Sequence, residues 1–248
     1  MVARPVSYGR GAPVTLVVHG LGATEGEARI PASGLPGTRV VLTLPGHGSA
    51  PDAPPDYWDY ASLARDVLSA ADEAGATRAV GVSLGAGALT RIAAEHPDRF
   101  DRLALLLPAA LDEPRGATAT RAYERLADAV ALAASDGGAK LREILAADVP
   151  PGVDVGDHVE RRARALLRLE DALRTLPRRC PLDDAAVLAP VRSDVLVIAA
   201  EGDPMHPTEV AETTAAAFPR ARLEVLPSAA PMLTHRRELR ALLTGFLG

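Results

Sequence analysis

The chain has 248 residues, of which 48% are hydrophobic and 24% are charged. This composition excludes an intrinsically disordered chain, and the length is sufficient for one large domain or for a core with a modest insertion. The formal net charge of −5 argues against a nucleic-acid partner, because phosphate binding depends on clustered basic side chains.

A single cysteine, Cys180, excludes an internal disulfide and a metal site built from paired cysteines, and it favours a reducing compartment. The first thirteen residues contain no apolar core of a signal peptide. The longest apolar stretch, 103–111, is too short to cross a bilayer. We therefore expect a cytoplasmic protein with no membrane partner; its oligomeric state is left open.

Short β-rich runs alternate with longer helical patterns along the chain. The runs are nearly unbroken in apolar residues, as expected for parallel strands covered by helices on both faces. The sequence therefore predicts an α/β fold with a doubly wound, mostly parallel sheet of about six to seven strands. Strands are predicted over 14–20, 39–48, 77–85, 101–108, 194–203 and 221–227, and helices over 60–75, 84–96, 208–218 and 235–247.

One segment, 109–189, interrupts this alternation because it has apolar residues only at helical spacing. Its glycine and proline positions predict three or four helices. We therefore divide the chain into a first part of the α/β core (1–108), a helical insertion (109–189) and a second part of the core (190–248). The glycines and prolines that separate the predicted helices are Gly116, Gly137 with Gly138, and Pro150 with Pro151.

The sequence "GVSLG", Gly81–Gly85, follows a predicted strand and opens a predicted helix. In this context a G-x-S-x-G match indicates a sharp turn that exposes a nucleophilic serine, here Ser83. The flanking glycines suit such a turn, since its strained backbone passes close to neighbouring chain.

A second glycine-rich turn, "HGLG" at 19–22, follows the first strong strand. Such a turn can aim a backbone N–H into the space above Ser83, and the residue after the nucleophile supplies another. We predict that the N–H groups of Leu21 and Leu84 form an oxyanion hole. An ordinary glycine-rich strand exit is the alternative interpretation.

With "LPGHG" (44–48) and "AAEGDPMHP" (199–207), these motifs resemble the α/β-hydrolase superfamily over nearly the whole chain. The resemblance implies a slightly reduced sheet, a cap at 109–189 that sets substrate choice, and no metal or cofactor. It also implies that Asp203 orients a catalytic histidine, although an ordinary turn aspartate is the alternative. We place His19, Gly20 and His47 beside the substrate.

The resemblance places the catalytic histidine after the last strand, where this chain has Pro231. His235 is the nearest candidate: if Thr234 caps the final helix, His235 occupies its first position and can face Ser83. If the helix begins at Pro231 instead, His235 lies a turn further along and is a surface residue. We set His206 aside because it follows Asp203 too closely to be oriented by it across a site.

The leading hypothesis is a serine hydrolase acting on an ester, lactone or thioester of a small, mostly apolar molecule. Two alternatives are kept: a non-hydrolytic biosynthetic enzyme, such as a lyase, a cyclase or a rearrangement catalyst, and an inactive ligand-binding member of the fold. The arginines of the insertion, Arg162 among them, are interpreted as a solvated helix face because acidic residues are interleaved with them.

Overall fold

A computed structural model describes residues 4–248 of the chain. Seven strands form one sheet in the spatial order β1-β3-β2-β4-β5-β6-β7, in which only β1 is antiparallel to its neighbour. This confirms the predicted α/β class and the mostly parallel sheet. The strands are β1 (Arg4–Tyr8), β2 (Val14–Val18), β3 (Thr38–Thr43), β4 (Arg78–Val82), β5 (Arg102–Leu106), β6 (Asp194–Ala200) and β7 (Ala221–Leu226).

Successive residues of the central strands enter two separate hydrophobic cores, one on each face of the sheet. In β5, Leu103 and Leu105 belong to one core while Ala104 and Leu106 belong to the other. This follows from the alternation of side chains in a strand. Because both faces are buried, the central strands are apolar at most positions, and this pattern makes them recognisable in the sequence.

Helices cover both faces of the sheet. Outside the segment between β5 and β6 they closely match the predicted spans, with two further short helices, α1 and α9. Within residues 4–248, no helix is both long and apolar enough to cross a membrane. These helices are α1 (Glu25–Ala28), α2 (Tyr60–Ala74), α3 (Leu84–Glu95), α8 (Thr208–Ala217), α9 (Pro231–Thr234) and α10 (Arg236–Leu247).

The chain between β5 and β6 is helical, as predicted. It contains α4 (Ala117–Asp136), α5 (Ala139–Ala147), α6 (His158–Leu166) and α7 (Glu170–Thr175), followed by two short 3₁₀ turns. Gly116 precedes α4, and Gly137 ends it in the left-handed conformation that favours glycine. The division of the chain into core and insertion at 109–189 stays a prediction.

The strand order places a crevice at the carboxyl ends of β2 and β4. The chain runs from β2 to β3 on one side and then returns to β4 on the other side of β2. At such a switch point the loops leave the sheet in opposite directions, which opens a space in which ligands bind. The two glycine-rich motifs follow these two strands.

Candidate active site

Ser83 lies on a tight turn between β4 and α3. Its backbone angles, φ 50° and ψ −103°, are rarely adopted by residues with a side chain. The turn is held because the N–H of Ser83 donates to the carbonyl of Leu106, at 2.8 Å. A Cβ on Gly81 would collide with the backbone of Gly85, and a Cβ on Gly85 would collide with the carbonyl of Val18. The glycines therefore permit the close packing that the sequence motif predicts.

The hydroxyl of Ser83 belongs to a hydrogen-bonded chain of three side chains. Its Oγ lies 2.9 Å from Nε2 of His206, and Nδ1 of His206 lies 2.7 Å from Oδ2 of Asp203. Side chains of Asp203 and His206 are 12% and 16% exposed, so this chain is largely shielded from water. A serine, a histidine and an aspartate in this order form a proton-transfer unit.

Asp203 and His206 meet because the backbone between them folds into a turn. Oδ1 of Asp203 accepts the N–H of Met205 at 2.8 Å, and the Asp203 carbonyl accepts the N–H of His206. An aspartate that bonds the backbone two residues later bends the chain back over itself. His206 is therefore oriented by Asp203 in spite of their short separation along the chain, contrary to the expectation from sequence. The tendency of aspartate to form such turns is the sequence signal for this arrangement.

The electrostatics fix the proton positions in this chain. Burial alone would raise the pKa of Asp203, but the bonds from His206 and from the Met205 and His206 backbone N–H groups hold that pKa below its ordinary value. The ionised carboxylate can only accept, so Nδ1 of His206 carries the proton. Nε2 is then free to accept the proton of the Ser83 hydroxyl.

His235 does not take the predicted place beside Ser83. Helix α9 begins at Pro231, and His235 lies between α9 and α10 with its Nδ1 2.8 Å from Oγ1 of Thr234. This is the arrangement in which the histidine lies a turn too far along the chain. The prediction that His235 supplies the base is wrong for this reason, and the structure places His206 there instead.

The turn at 19–22 lies directly against the serine. A Cβ built on Gly20 would be 3.5 Å from the Cβ of Ser83, so this turn and the nucleophile share one space. In the described part of the chain, no acceptor takes the N–H of Leu21 or of Leu84. Leu21 lines the cavity described below, and the role of these two N–H groups as an oxyanion hole stays a prediction.

Two neighbouring histidines, His19 and His47, support this turn, with ring centroids 4.5 Å apart and ring planes tilted by 55°. The N–H of Gly22 donates to Nε2 of His47 at 2.9 Å, and the N–H of Leu44 donates to Nε2 of His19 at 3.1 Å. Each Nδ1 donates to a nearby backbone carbonyl. Burial lowers the pKa of His19, and burial together with His19 lowers the pKa of His47 well below its ordinary value, so both rings are neutral.

These contacts bear on the prediction that His19, Gly20 and His47 lie beside the substrate. His19 and Gly20 line the cavity described next, but both ring nitrogens of His19 are already bonded to backbone. His47 lies beneath the turn, outside that cavity, and is 1% exposed. The prediction that His47 contacts the substrate is therefore wrong: its ring positions the turn.

A cavity of about 570 Å³ extends from Ser83 to the helices between β5 and β6. This volume is within the range of small-molecule sites. Ser83, Asp203 and His206 form part of its wall, and most of the remainder is aliphatic. The helices and loops between β5 and β6 contribute Tyr123, Leu126, Leu145, Ala147, Asp148, Val149, Pro150, Pro151, His158, Arg162, Leu166 and Leu173.

One charged cluster interrupts the aliphatic wall. Oε1 of Glu27 lies 3.3 Å from Nη1 of Arg162 and 3.8 Å from Nε2 of His158. Burial lowers the pKa of His158 in spite of the nearby carboxylate, so Arg162 is the cation of this cluster at neutral pH. The interpretation of Arg162 as part of a solvated helix face is wrong, since it lines the cavity and pairs across it.

The model of the "Alpha/beta hydrolase family" matches residues 15–242, which is most of the chain. The chain belongs to the alpha/beta hydrolase family. No curated protein sequence matches it. Among solved structures, this family member is similar to a hydrolase from Pseudomonas aeruginosa PA01, with 26% identity and a TM-score of 0.78 over 99% of this chain and 94% of that one.

Two further structures share the alpha/beta hydrolase fold at lower identity. An esterase from Exiguobacterium antarcticum has 20% identity and a TM-score of 0.76, and the match covers 99% of this chain and 95% of the esterase. An enol-lactonase from Burkholderia xenovorans has 22% identity and a TM-score of 0.68, with 99% and 96% coverage. The resemblance inferred from the motifs is thus confirmed at the level of family and fold.

Proposed function

We propose that this protein is a serine hydrolase that cleaves an ester, lactone or thioester of a small, mostly apolar molecule, with the helices of 109–189 as a cap over the site. The observation that carries the proposal is the continuous hydrogen-bonded chain from Ser83 through His206 to Asp203. Its catalytic unit takes the base from the loop after β6, where the acid also resides.

In the first half of the proposed reaction, Oγ of Ser83 attacks the carbonyl carbon while its proton passes to Nε2 of His206. Asp203 stabilises the imidazolium that forms. The negative oxygen of the tetrahedral intermediate accepts hydrogen bonds from the N–H groups of Leu21 and Leu84. Collapse breaks the bond to the leaving group, which takes the proton from His206 and leaves an acyl-serine.

In the second half, water attacks the acyl-serine and gives a proton to the same nitrogen of His206. A second tetrahedral intermediate collapses, the bond between the carbonyl carbon and Oγ of Ser83 breaks, and the proton returns to the serine. The products are a carboxylic acid and an alcohol or thiol, so the atoms and charges balance without another reactant.

Two observations support hydrolysis over the alternatives. Two of the structurally similar proteins are an esterase and an enol-lactonase, and these named activities belong to the class of reaction proposed here. The cavity walls are mainly aliphatic around a few polar groups, which suits an apolar ester with one reacting carbonyl.

Reaction with a fluorophosphonate probe tests the assignment of the base. We expect rapid labelling of Ser83, mapped by peptide mass spectrometry, in the wild-type protein and in His235→Ala, and no labelling in Ser83→Ala. In His206→Ala the labelling rate and the kcat for a p-nitrophenyl ester fall by about 10³-fold or more, because the serine loses its proton acceptor.

The pair His206→Ala and His235→Ala serves as a matched control, because each removes one imidazole. Loss of labelling in His235→Ala with retention in His206→Ala would reverse the assignment of the base. A wild-type protein that neither labels nor turns over activated esters would refute the proposed function as a whole.

A further inference from the structure

The chain segment after β7 forms one wall of the cavity with apolar residues only. We call this segment, residues 229–233, the β7 wall. Its five residues, Ala229, Ala230, Pro231, Met232 and Leu233, all line the cavity that also contains Ser83 and His206. It offers no side chain that could accept or donate a proton, so its contribution to a reaction is to contact the substrate.

The β7 wall is braced by its own hydrogen bonds. Oγ of Ser228 accepts the N–H of Ala230 at 3.1 Å and lies 2.7 Å from Oγ1 of Thr234. The carbonyl of Ala230 accepts the N–H groups of Leu233 and Thr234. These bonds close the segment into a turn without involving the proton-transfer unit, whose acid and base lie on the loop after β6.

The order of strands shows on which side of the serine the β7 wall lies. Along the carboxyl edge of the sheet, the turn at 19–22 follows β2, Ser83 follows β4, His206 follows β6 and the β7 wall follows β7. In this order, the turn of the proposed oxyanion hole and the β7 wall are on opposite sides of Ser83, and the loop that carries His206 leaves a strand between β4 and β7.

This order identifies the part of the substrate that faces the β7 wall. The imidazole must reach the oxygen of the leaving group in order to protonate it, so the leaving group lies on the His206 side of the serine. We propose that the β7 wall is the leaving-group subsite, that it takes the uncharged, apolar alcohol portion of an ester, and that Ala230 and Leu233 set its size. This inference rests on the proposed hydrolase activity.

Paired substitutions of opposite size test the proposal. Ala230→Leu fills the subsite, so the ratio of kcat/KM for cyclohexylmethyl butyrate to that for ethyl butyrate should fall about tenfold or more. Leu233→Ala enlarges the subsite, so the preference among butyrate esters should shift toward those of still bulkier alcohols. As controls, Ala241→Leu and Leu167→Ala make the same changes at exposed positions outside the cavity. Each control should leave the ratio of kcat/KM values as in the wild type.

A second ester series separates the two sides of the carbonyl. With ethanol as the constant alcohol and the acid varied from butyrate to cyclohexylacetate, the same variants should change the ratio by less than about twofold. A larger change in the acid series than in the alcohol series would overturn the assignment, and so would unchanged ratios in both series.

Binding of the alcohol alone separates failure of this inference from failure of the proposed function. Cyclohexylmethanol is a product analogue whose affinity, measured by calorimetry or by NMR titration, does not depend on turnover. Weaker binding to Ala230→Leu than to Ala241→Leu supports the subsite even if no ester is cleaved. Equal binding to both variants, alongside active ester cleavage, refutes the subsite and leaves the hydrolase assignment intact.

Discussion

Ser83 is held in a backbone conformation that costs about 1–3 kcal/mol for a residue with a side chain. The surrounding structure maintains it because the chain at Gly85 packs directly on the carbonyl of Val18 in β2. The position of the Ser83 hydroxyl at the cavity wall therefore depends on the missing side chain of Gly85, the second residue of α3.

Two glycine substitutions in helices test this dependence. Gly85→Ala should lower the free energy of unfolding by about 2 kcal/mol or more, since its methyl group has no space beside Val18. Gly245→Ala, in α10, has open space around the added Cβ and should raise stability by up to about 1 kcal/mol. Urea unfolding measures both, and equal effects of the two changes would contradict the packing argument.

Between elements, Glu27 connects the sheet-side helix α1 to α6 of the proposed cap. Oε2 accepts the backbone N–H of Thr24 at 2.8 Å, which caps α1, while Oε1 contacts Arg162 and lies near His158. The carboxylate is 17% exposed, so its interactions are less screened than those of a surface pair. One side chain thus joins two elements that line the cavity.

Replacing this carboxylate should weaken both connections. Glu27→Gln is expected to lower the free energy of unfolding by about 1–2 kcal/mol, because the cap of α1 and the bond to Arg162 lose the ionic component. Glu25→Gln, an exposed residue in the same turn, should change stability by less than about 0.5 kcal/mol. Thermal unfolding of the two variants is the measurement, and a larger loss for Glu25→Gln would contradict this role.

For the molecule as a whole, Asp203 makes stability depend on pH. Its pKa in the folded state is below the unfolded value, because the bonds from His206 and the backbone outweigh burial. The folded state therefore binds fewer protons in the interval between the two values, and the stabilisation present above the unfolded pKa is lost as the pH falls through the folded pKa.

The expected result is a difference in unfolding free energy between wild type and Asp203→Asn that is constant near neutral pH and shrinks below about pH 4. Chemical unfolding at a series of pH values measures it. Asp183→Asn, at an exposed site, provides a comparison for the effect of removing one negative charge. A difference that grows with acidity would contradict the assigned direction.

The sequence predicts the fold well because burial on both faces of the sheet makes each central strand continuously apolar. Strand β1 was missed for the converse reason: it is an antiparallel edge strand, and Pro5, Val6 and Ser7 are exposed, so it has no buried pattern to detect. The tight turn at Ser83 could be predicted because the glycines around it record close backbone contacts.

The hydrogen bond between His206 and Ser83 could not be predicted, because the position of His206 depends on the conformation of one short loop. Sequence spacing alone measures separation along the chain, whereas the bond from Met205 to Asp203 turns His206 back toward the serine. Similarly, the position of His235 depends on whether the helix begins at Pro231 or is capped by Thr234 and begins at His235, and both starts satisfy the known preferences.

Asp203 and His206 lie on one short loop, so only one distance in the hydrogen-bonded chain depends on the arrangement of separate strands: the distance from His206 to Ser83. Their mutual distance is set locally by three residues, whereas the distance from His206 to Ser83 spans β6, β5 and β4 of the sheet. A small separation of these strands would interrupt proton transfer while the acid and base stayed paired. For the proposed hydrolase, turnover therefore depends on the packing of the central strands, and mild denaturant should abolish it before the fold is lost.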